Sequence, residues 1–390
     1  MRTVIKNCNI IDGIQNNPIR NAHIFIKDDE IENVTVGNLE NVRDDDLILN
    51  CTGKYVIPGL IDCHVHLVCD GGKDPQSMIM ASDDEMVTLH AYKSALDTLR
   101  LGITTVRDLA SPGRTIINLR DAINDNVLVG PTILASGPAV CMTGGHVHYL
   151  GIEADGSAEV RKATRKVLKD GADFVKVMAT GGIATHGETP GSSQLTVEEL
   201  SAAKEEAHKK NKMIAAHAQG LEGIMNCIDI GIDTIEHGIY ADEQALYLMK
   251  EKGIFLVPTI IVMQRLATSE AVPKWLREKA EAVVEPHQKM LEMAIKIGVK
   301  IATGTDCGSP VTPPEYYFDE LTIMEDAGMT PMEVIKSSTK IAAECLGLKD
   351  RGTITNGQKA DLLILNENPL ENLHTLKNRN QVIKNGKFVQ

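Results

Sequence analysis

The run YVIPGLIDCHVHL at residues 55–67 is apolar for most of its length and then closes on two histidines two positions apart. An apolar run without alternation reads as a strand buried on both faces, as in parallel sheets whose crossovers cover both sides. Seven further short runs follow: TTVRDL (104–109), TILASG (132–137), DFVKVMA (173–179), MIAAHA (213–218), TIEHG (234–238), FLVPT (255–259) and KIATGTD (300–306). Helical stretches separate most of them, around 83–101, 157–170, 196–211, 219–231, 241–252 and 276–297. Strand and helix in alternation imply the α/β class, and eight units point to a closed (β/α)8 TIM barrel over residues 56–351. A doubly wound open sheet would want a glycine-rich phosphate turn after its first strand, and no GxGxxG occurs there.

The outer segments have a different rhythm. TVIKNCNIIDG (3–13), NAHIFIKDDEIENV (21–34) and DLILNCTG (46–53), then DLLILN (361–366) and QVIKNGKFVQ (381–390), alternate apolar and polar residues as half-buried strands do. VIKNC at 4–8 and VIKNG at 382–386 are near-copies. The expectation is a small β-sandwich domain formed by both termini, residues 1–55 plus 352–390. A chain of 390 residues has room for one large core and such a satellite.

The net charge of -13 argues against nucleic acid, which needs clustered Lys and Arg. Hydrophobic residues make up 43%, yet no run approaches the ~20 apolar residues that span a bilayer. The opening MRTVIKNCNIIDG has no basic segment followed by an apolar one, so Met1 is expected to start the mature chain. The 8 cysteines form no CxxC pair and read as reduced thiols of a cytoplasmic protein, without a Cys-based zinc site.

In a barrel of this kind the chemistry sits at the C-terminal ends of the strands. His64 and His66 share one strand face, roughly 7 Å apart along the chain, so their imidazoles can converge on one cation. Lys176 lies inside the fourth run, where desolvation disfavours the ammonium. A neutral amine there can take up carbon dioxide and become a two-oxygen carbamate able to bridge two metals. Taken alone it reads better as a lysine that snorkels or pairs with an acid. His217 and His237 end the fifth and sixth runs, and Asp306 ends the eighth, where it could bind metal or cap the next helix.

Together, HxH on strand one, Lys on four, His on five and six and Asp on eight resemble the amidohydrolase superfamily in its two-metal form. PGLIDCHVHL (58–67) and the closing GxIxxGxxADL (352–362) are similar to it as well. GITTVRDL (102–109), TGGHVHYLG (143–151), FVKVMATGG (174–182), AAHAQG (215–220), IEHGIYAD (235–242) and ATGTDCG (302–308) resemble its prolidase-like branch of Xaa-Pro and Xaa-Arg/Lys dipeptidases, related to imidazolonepropionase. The resemblance implies two divalent ions, Zn with Mn or Fe as alternatives. One is held by His64, His66 and Asp306, the other by His217 and His237, with carboxylated Lys176 bridging. It also implies that His146 polarises the scissile carbonyl and that Tyr240 meets a substrate carboxylate. His148, which stands where a glycine is expected, is a further candidate substrate-binding residue.

The function so implied is hydrolysis of a small-molecule amide, a dipeptide or N-acyl amino acid, with Asp306 as general base and acid. A homo-oligomer is expected from the same resemblance. The loop MATGGIATHGETPGSS (178–193) could close over substrate, with His186 a loop or substrate-contact residue. Cys63, Cys141 and Cys307 read as packing residues, and His90, His208 and His287 as surface or capping residues. Arg107 and Asp108 sit at the mouth without an assigned role. Three rivals stand beside this. A one-metal deaminase would want a Glu shortly after His217, where Ala218-Gln219-Gly220 stands. A phosphotriesterase or lactonase would use the same ligands. A non-catalytic scaffold would be expected to have lost several of them.

Overall fold

The run at 55–67 is two strands rather than one. Tyr55–Pro58 belongs to a sheet made by the two ends of the chain, and β1 (Leu60–Val65) opens a separate parallel sheet. Gly59 is the joint. Its N–H reaches the Asp361 carbonyl at 2.7 Å, and a Cβ added there would fall on the Thr104 side chain. The structure, a computed structural model, describes residues 2–389. Met1, expected as the start of the mature chain, and Gln390 lie outside the described residues.

The end sheet has eight strands. Leu362–Leu365 pairs antiparallel with Tyr55–Pro58, which is where the C-terminal strands meet the N-terminal ones. Arg2–Ile10 is the pivot: it pairs parallel with Leu47–Asn50 at its start and with Tyr55–Pro58 at its end. The two layers expected of a sandwich are thus joined in one hydrogen-bonded network. Ile5, Ile24, Val56, Leu362 and Ile383 share a core of their own.

The middle of the chain is a mixed α/β fold with parallel strands. β2 (Ile103–Asp108) and β3 (Thr132–Ala135) extend β1 into a three-stranded sheet. β4 (Val175–Met178), β5 (Ile214–Ala218), β6 (Thr234–His237) and β7 (Phe255–Val257) pair in that order. Ala139–Cys141 and Gly151–Glu153 add two short strands beyond β4. Alternating with the strands are α1 (Asp84–Arg100), α2 (Thr115–Asn124), α3 (Gly156–Lys169), α4 (Val197–Lys209), α5 (Leu221–Ile230) and α6 (Glu243–Lys252). A hairpin of α7 (Ile260–Thr268) and α8 (Lys274–Ile297) follows β7, and α9 (Tyr317–Asp326) comes after the eighth run. Local chemistry sets these ends: Thr196 and Glu199 close a capping box on α4, and Asp242 caps α6.

The eighth run, expected as a strand, makes only isolated bridges, Ile301 with Leu256 and Cys307 with Val65. Asp306 is the reason. Its φ of 59° turns the backbone left-handed, and its N–H and that of Thr305 both aim at the His64 carbonyl, at 2.8 and 3.3 Å. The segment still bonds on both sides, Ala302 N–H to Leu256 O at 3.0 Å and Cys63 N–H to Thr303 O at 2.9 Å. Between β3 and β4, Asp173 donates its N–H to Ala135 O at 2.8 Å and accepts the Ala135 N–H at 3.0 Å.

Gly59→Ala should force Thr104 or the joint itself to move. The expected loss is about 1–3 kcal/mol of unfolding free energy, read from the denaturant midpoint. A loss under about 0.5 kcal/mol would show that the joint is slack.

Candidate metal and catalytic site

The structure brings His64, His66, His146, Lys176, His217, His237 and Asp306 to one cavity of about 720 Å³. They arrive from the ends of β1, β5 and β6, from inside β4, from the loop before Gly151–Glu153 and from the eighth run. His64, His66 and Asp306 each offer a ligand atom within 4.8 Å of the other two. The Asp306 Oδ1 lies 3.2 Å from His66 Nε2 and 3.6 Å from His64 Nε2. The ring of His237 is 5.1 Å from that of His64 and 4.6 Å from that of His217, and His217 stacks on His146 at 4.2 Å.

Hydrogen bonds behind the rings decide which nitrogen faces the cavity. His64 Nδ1 meets the Glu236 carboxylate at 2.9 Å, so its proton sits there and the Nε2 lone pair is left toward Asp306. His237 Nδ1 meets Thr259 Oγ1 at 2.7 Å, which aims its Nε2 at the cavity, although a hydroxyl can serve Nδ1 as donor or acceptor. Among the described residues, Lys176 Nζ, His217 Nε2 and His66 Nδ1 are buried polar atoms with no hydrogen-bond partner. Such orphans are costly in a native interior, and several of them beside a His-His-Asp group fit a cation site.

Burial dominates the protonation of His64, His217, His237 and Lys176. It lowers His64 to about 4 and pushes His217 and His237 well below the usual imidazole range. It lowers Lys176 to about 8, against the pull of Glu236. Asp306 is driven up by burial, but His64 and His66 outweigh that and hold it well below the usual carboxylate range. His66 is the exception, since burial is outweighed by its hydrogen bond to Asp306, which raises it. Imidazoles biased to neutrality at His64, His217 and His237 beside an ionised carboxylate are a donor set that suits a divalent metal.

Two carboxylates were not read from the sequence. Glu236, fully buried, is clamped by the Arg107 guanidinium at 2.7 Å as well as by His64. Glu188, in the loop 178–193, lies 3.3 Å from His146 Nδ1 and accepts Gln194 Nε2 at 2.8 Å, while Gln194 Oε1 accepts the His146 N–H at 3.1 Å. This closed ring fixes both backbone and imidazole of His146, which lies so close over Gly182 that a Cβ there would strike it. Glu188 has a trace in the sequence, the single acid in a Gly- and Thr-rich loop.

His287 departs from its expected surface place. It is fully buried on α8 with Nε2 3.1 Å from the His237 carbonyl, on a face shared with Val283, Met290 and Leu291. His148 and Tyr240 are not among the cavity-lining residues. The former bonds the Gly145 carbonyl, and the latter stands partly exposed. His186 packs edge-on against Trp275. Asp108 accepts the Leu67 N–H at 2.7 Å. All eight cysteines are free and buried, and no helix of the described residues is long and apolar enough to cross a membrane.

A family model described as "Amidohydrolase family" matches residues 55–389. The chain is 34% identical over 394 residues to ochratoxinase of Aspergillus niger, covering 91% of this chain and 79% of that one. It superposes on a Xaa-Pro dipeptidase, solved with methionine in its active site, at TM-score 0.93 and 33% identity, covering 100% of this chain and 99% of the other. A prolidase in complex with N-methylphosphonate-L-proline gives TM-score 0.93 at 27% identity, with 100% of both chains covered.

Glu236→Ala would leave Arg107 charged, buried and unpaired. The expected cost is about 3–5 kcal/mol in unfolding free energy, with Glu236→Gln milder because it keeps an acceptor. An Ala variant that unfolds within about 1 kcal/mol of the parent would show that Arg107 finds its support elsewhere.

Proposed function

The chain belongs to the amidohydrolase family and is a hydrolase of C–N bonds, and from that premise we propose a two-metal enzyme that cleaves dipeptides or N-acyl amino acids. The observation that carries this reading is the partnerless Lys176 amine in one cavity with four candidate ligand imidazoles and the Asp306 carboxylate. In this reading the eight parallel segments close into a (β/α)8 barrel. Support comes from the bonds that the 300–307 segment makes to both β7 and β1, and from those of Asp173 to Ala135. The ends of the chain, 1–55 and 352–390 with Tyr55–Pro58 attached, form the small second domain.

His64, His66 and Asp306 would hold one ion, and His217 and His237 the other. Lys176, carboxylated, would bridge them. When bound, two divalent cations supply Lewis acidity toward a carbonyl oxygen and lower the pKa of a water toward neutrality. Asp306, ionised and already pointed into the cavity, accepts the proton of the attacking water and returns it to the leaving amine. His146, held by Glu188 and Gln194, donates from Nε2 as an imidazolium to the oxygen that gains charge as the carbonyl becomes tetrahedral; burial opposes that second proton and the Glu188 carboxylate at Nδ1 favours it.

Metal analysis of the loaded enzyme should find about two equivalents per chain, and Lys176→Met about one or fewer. Metal-loaded protein incubated with dipeptides and N-acyl amino acids should release free amine. Silence across that set, with ammonia released from aminated purines or pyrimidines, would replace this reading with a deaminase.

Glu188→Gln should lower kcat about tenfold or more with little change in KM, and should add nothing in a His146→Ala background. Additive losses in the double variant would show that Glu188 acts elsewhere.

A further inference from the structure

The cavity has two unlike walls. One carries the imidazoles, Lys176 and Asp306. The other is the α7–α8 hairpin, with Val262, Met263 and Leu266 from α7, Val272 from the turn, and Trp275 and Leu276 from α8. All six belong to, or pack against, an apolar cluster of their own that also takes in Ile183 and Ile239, so the wall is built independently of any ligand. Trp275 is held from two directions, by the Lys279 ammonium 5.3 Å from its centroid and by the His186 ring edge-on at 5.0 Å. A fixed indole is a ready partner for another ring.

Among the described residues, Lys73 and Asp74, both exposed at its rim, are the charged side chains that line this cavity outside the ligand-type cluster. The free ammonium of a dipeptide placed on the hairpin would lose its water with no carboxylate on that wall to replace it. An apolar group placed there has no charge to desolvate and removes apolar surface of the wall from water.

We propose that the substrate is an amide bearing a bulky, uncharged, ring-sized apolar group on one side of the scissile bond, seated against the α7–α8 hairpin. This rests on the amide-hydrolase reading above and narrows it away from small free dipeptides.

The test compares N-acetylglycine, glycylglycine, N-(2-naphthoyl)glycine and N-acetyl-2-naphthylalanine on metal-loaded enzyme, with free amine as the readout. At least one naphthyl amide should exceed N-acetylglycine roughly a hundredfold in kcat/KM, and Leu276→Asn should cut that ratio about tenfold. Similar kcat/KM for all four, or preference for glycylglycine, overturns the inference and leaves the hydrolase reading intact. Binding gives a second measurement free of turnover. Trp275 is the one tryptophan of the chain, so quenching of its emission by 2-naphthoate, and not by acetate, reports occupancy of this wall. If no amide is cleaved but 2-naphthoate quenches and Leu276→Asn weakens it, the apolar site stands and the hydrolysis reading falls. Absence of both selectivity and quenching overturns the inference even if the variant fails to fold.

Discussion

Everything at the cavity floor depends on one buried carboxylate. Glu236 on β6 faces the Arg107 guanidinium of β2 and the imidazole of His64 on β1. Arg107 also donates from Nε to the Cys63 carbonyl at 2.7 Å and from Nη1 to Thr234 Oγ1 at 3.1 Å. Burial by itself would drive Glu236 toward the neutral acid. Arg107 and His64 reverse this and hold it at about 2, so it stays an anion across any ordinary pH. An anion there can hold the Nδ1 proton of His64 in place, and that in turn leaves Nε2 free to act. The cohesion of three strands and the aim of a candidate ligand are therefore one interaction.

Backbone strain gathers at the same rim. His237, Thr259 and Asp306, none of them glycine, have φ of 70°, 55° and 59°. For β-branched Thr259 this is an unfavourable conformation, tolerated where surrounding contacts determine it. Those contacts can be named. Glu320 of α9 accepts the N–H groups of Ile260 and Ile261 at 3.1 and 2.7 Å, immediately after Thr259. Thr259 then holds His237 through Nδ1, and His287 holds the His237 carbonyl. His237 ends β6, Thr259 follows β7 and Asp306 closes the eighth run, each where the chain leaves the extended conformation.

That same strain marks the limit of what the sequence discloses. Alternating faces along a strand place His64 and His66 together, and they do share the cavity. The rule would send the adjacent Glu236 and His237 to opposite faces, yet both are buried on the way to one site because His237 leaves the extended conformation. Glu236 was therefore invisible as a partner of His64. KIATGTD looked like a strand for the same reason: apolar content was legible, whereas the turn at Asp306 that breaks its ladder was not. Six of the expected helices lie within a few residues of their predicted spans, while 115–124, 260–268 and 317–326 carried no separate signal. The second of these forms half of the apolar wall. The joint at Gly59 was hidden inside an unbroken apolar run, since a change of sheet alters partners and leaves composition unchanged.

The two walls of the cavity solve opposite problems with the same means. Desolvation strips charge from His64, His217 and His237 and weakens it on Lys176, and so turns would-be cations into lone-pair donors. That only works if bulk water stays out, and the α7–α8 hairpin with its own apolar core is placed to exclude it. A polar wall there would readmit water, return the imidazoles toward their ordinary basicity and weaken their hold on a cation. The hairpin therefore contributes to the state of the ligand-type residues by excluding water, and among the described residues its one hydrogen bond to them is that of His287 to the His237 carbonyl. Its greasiness is as much a part of the site's chemistry as the carboxylate that faces it.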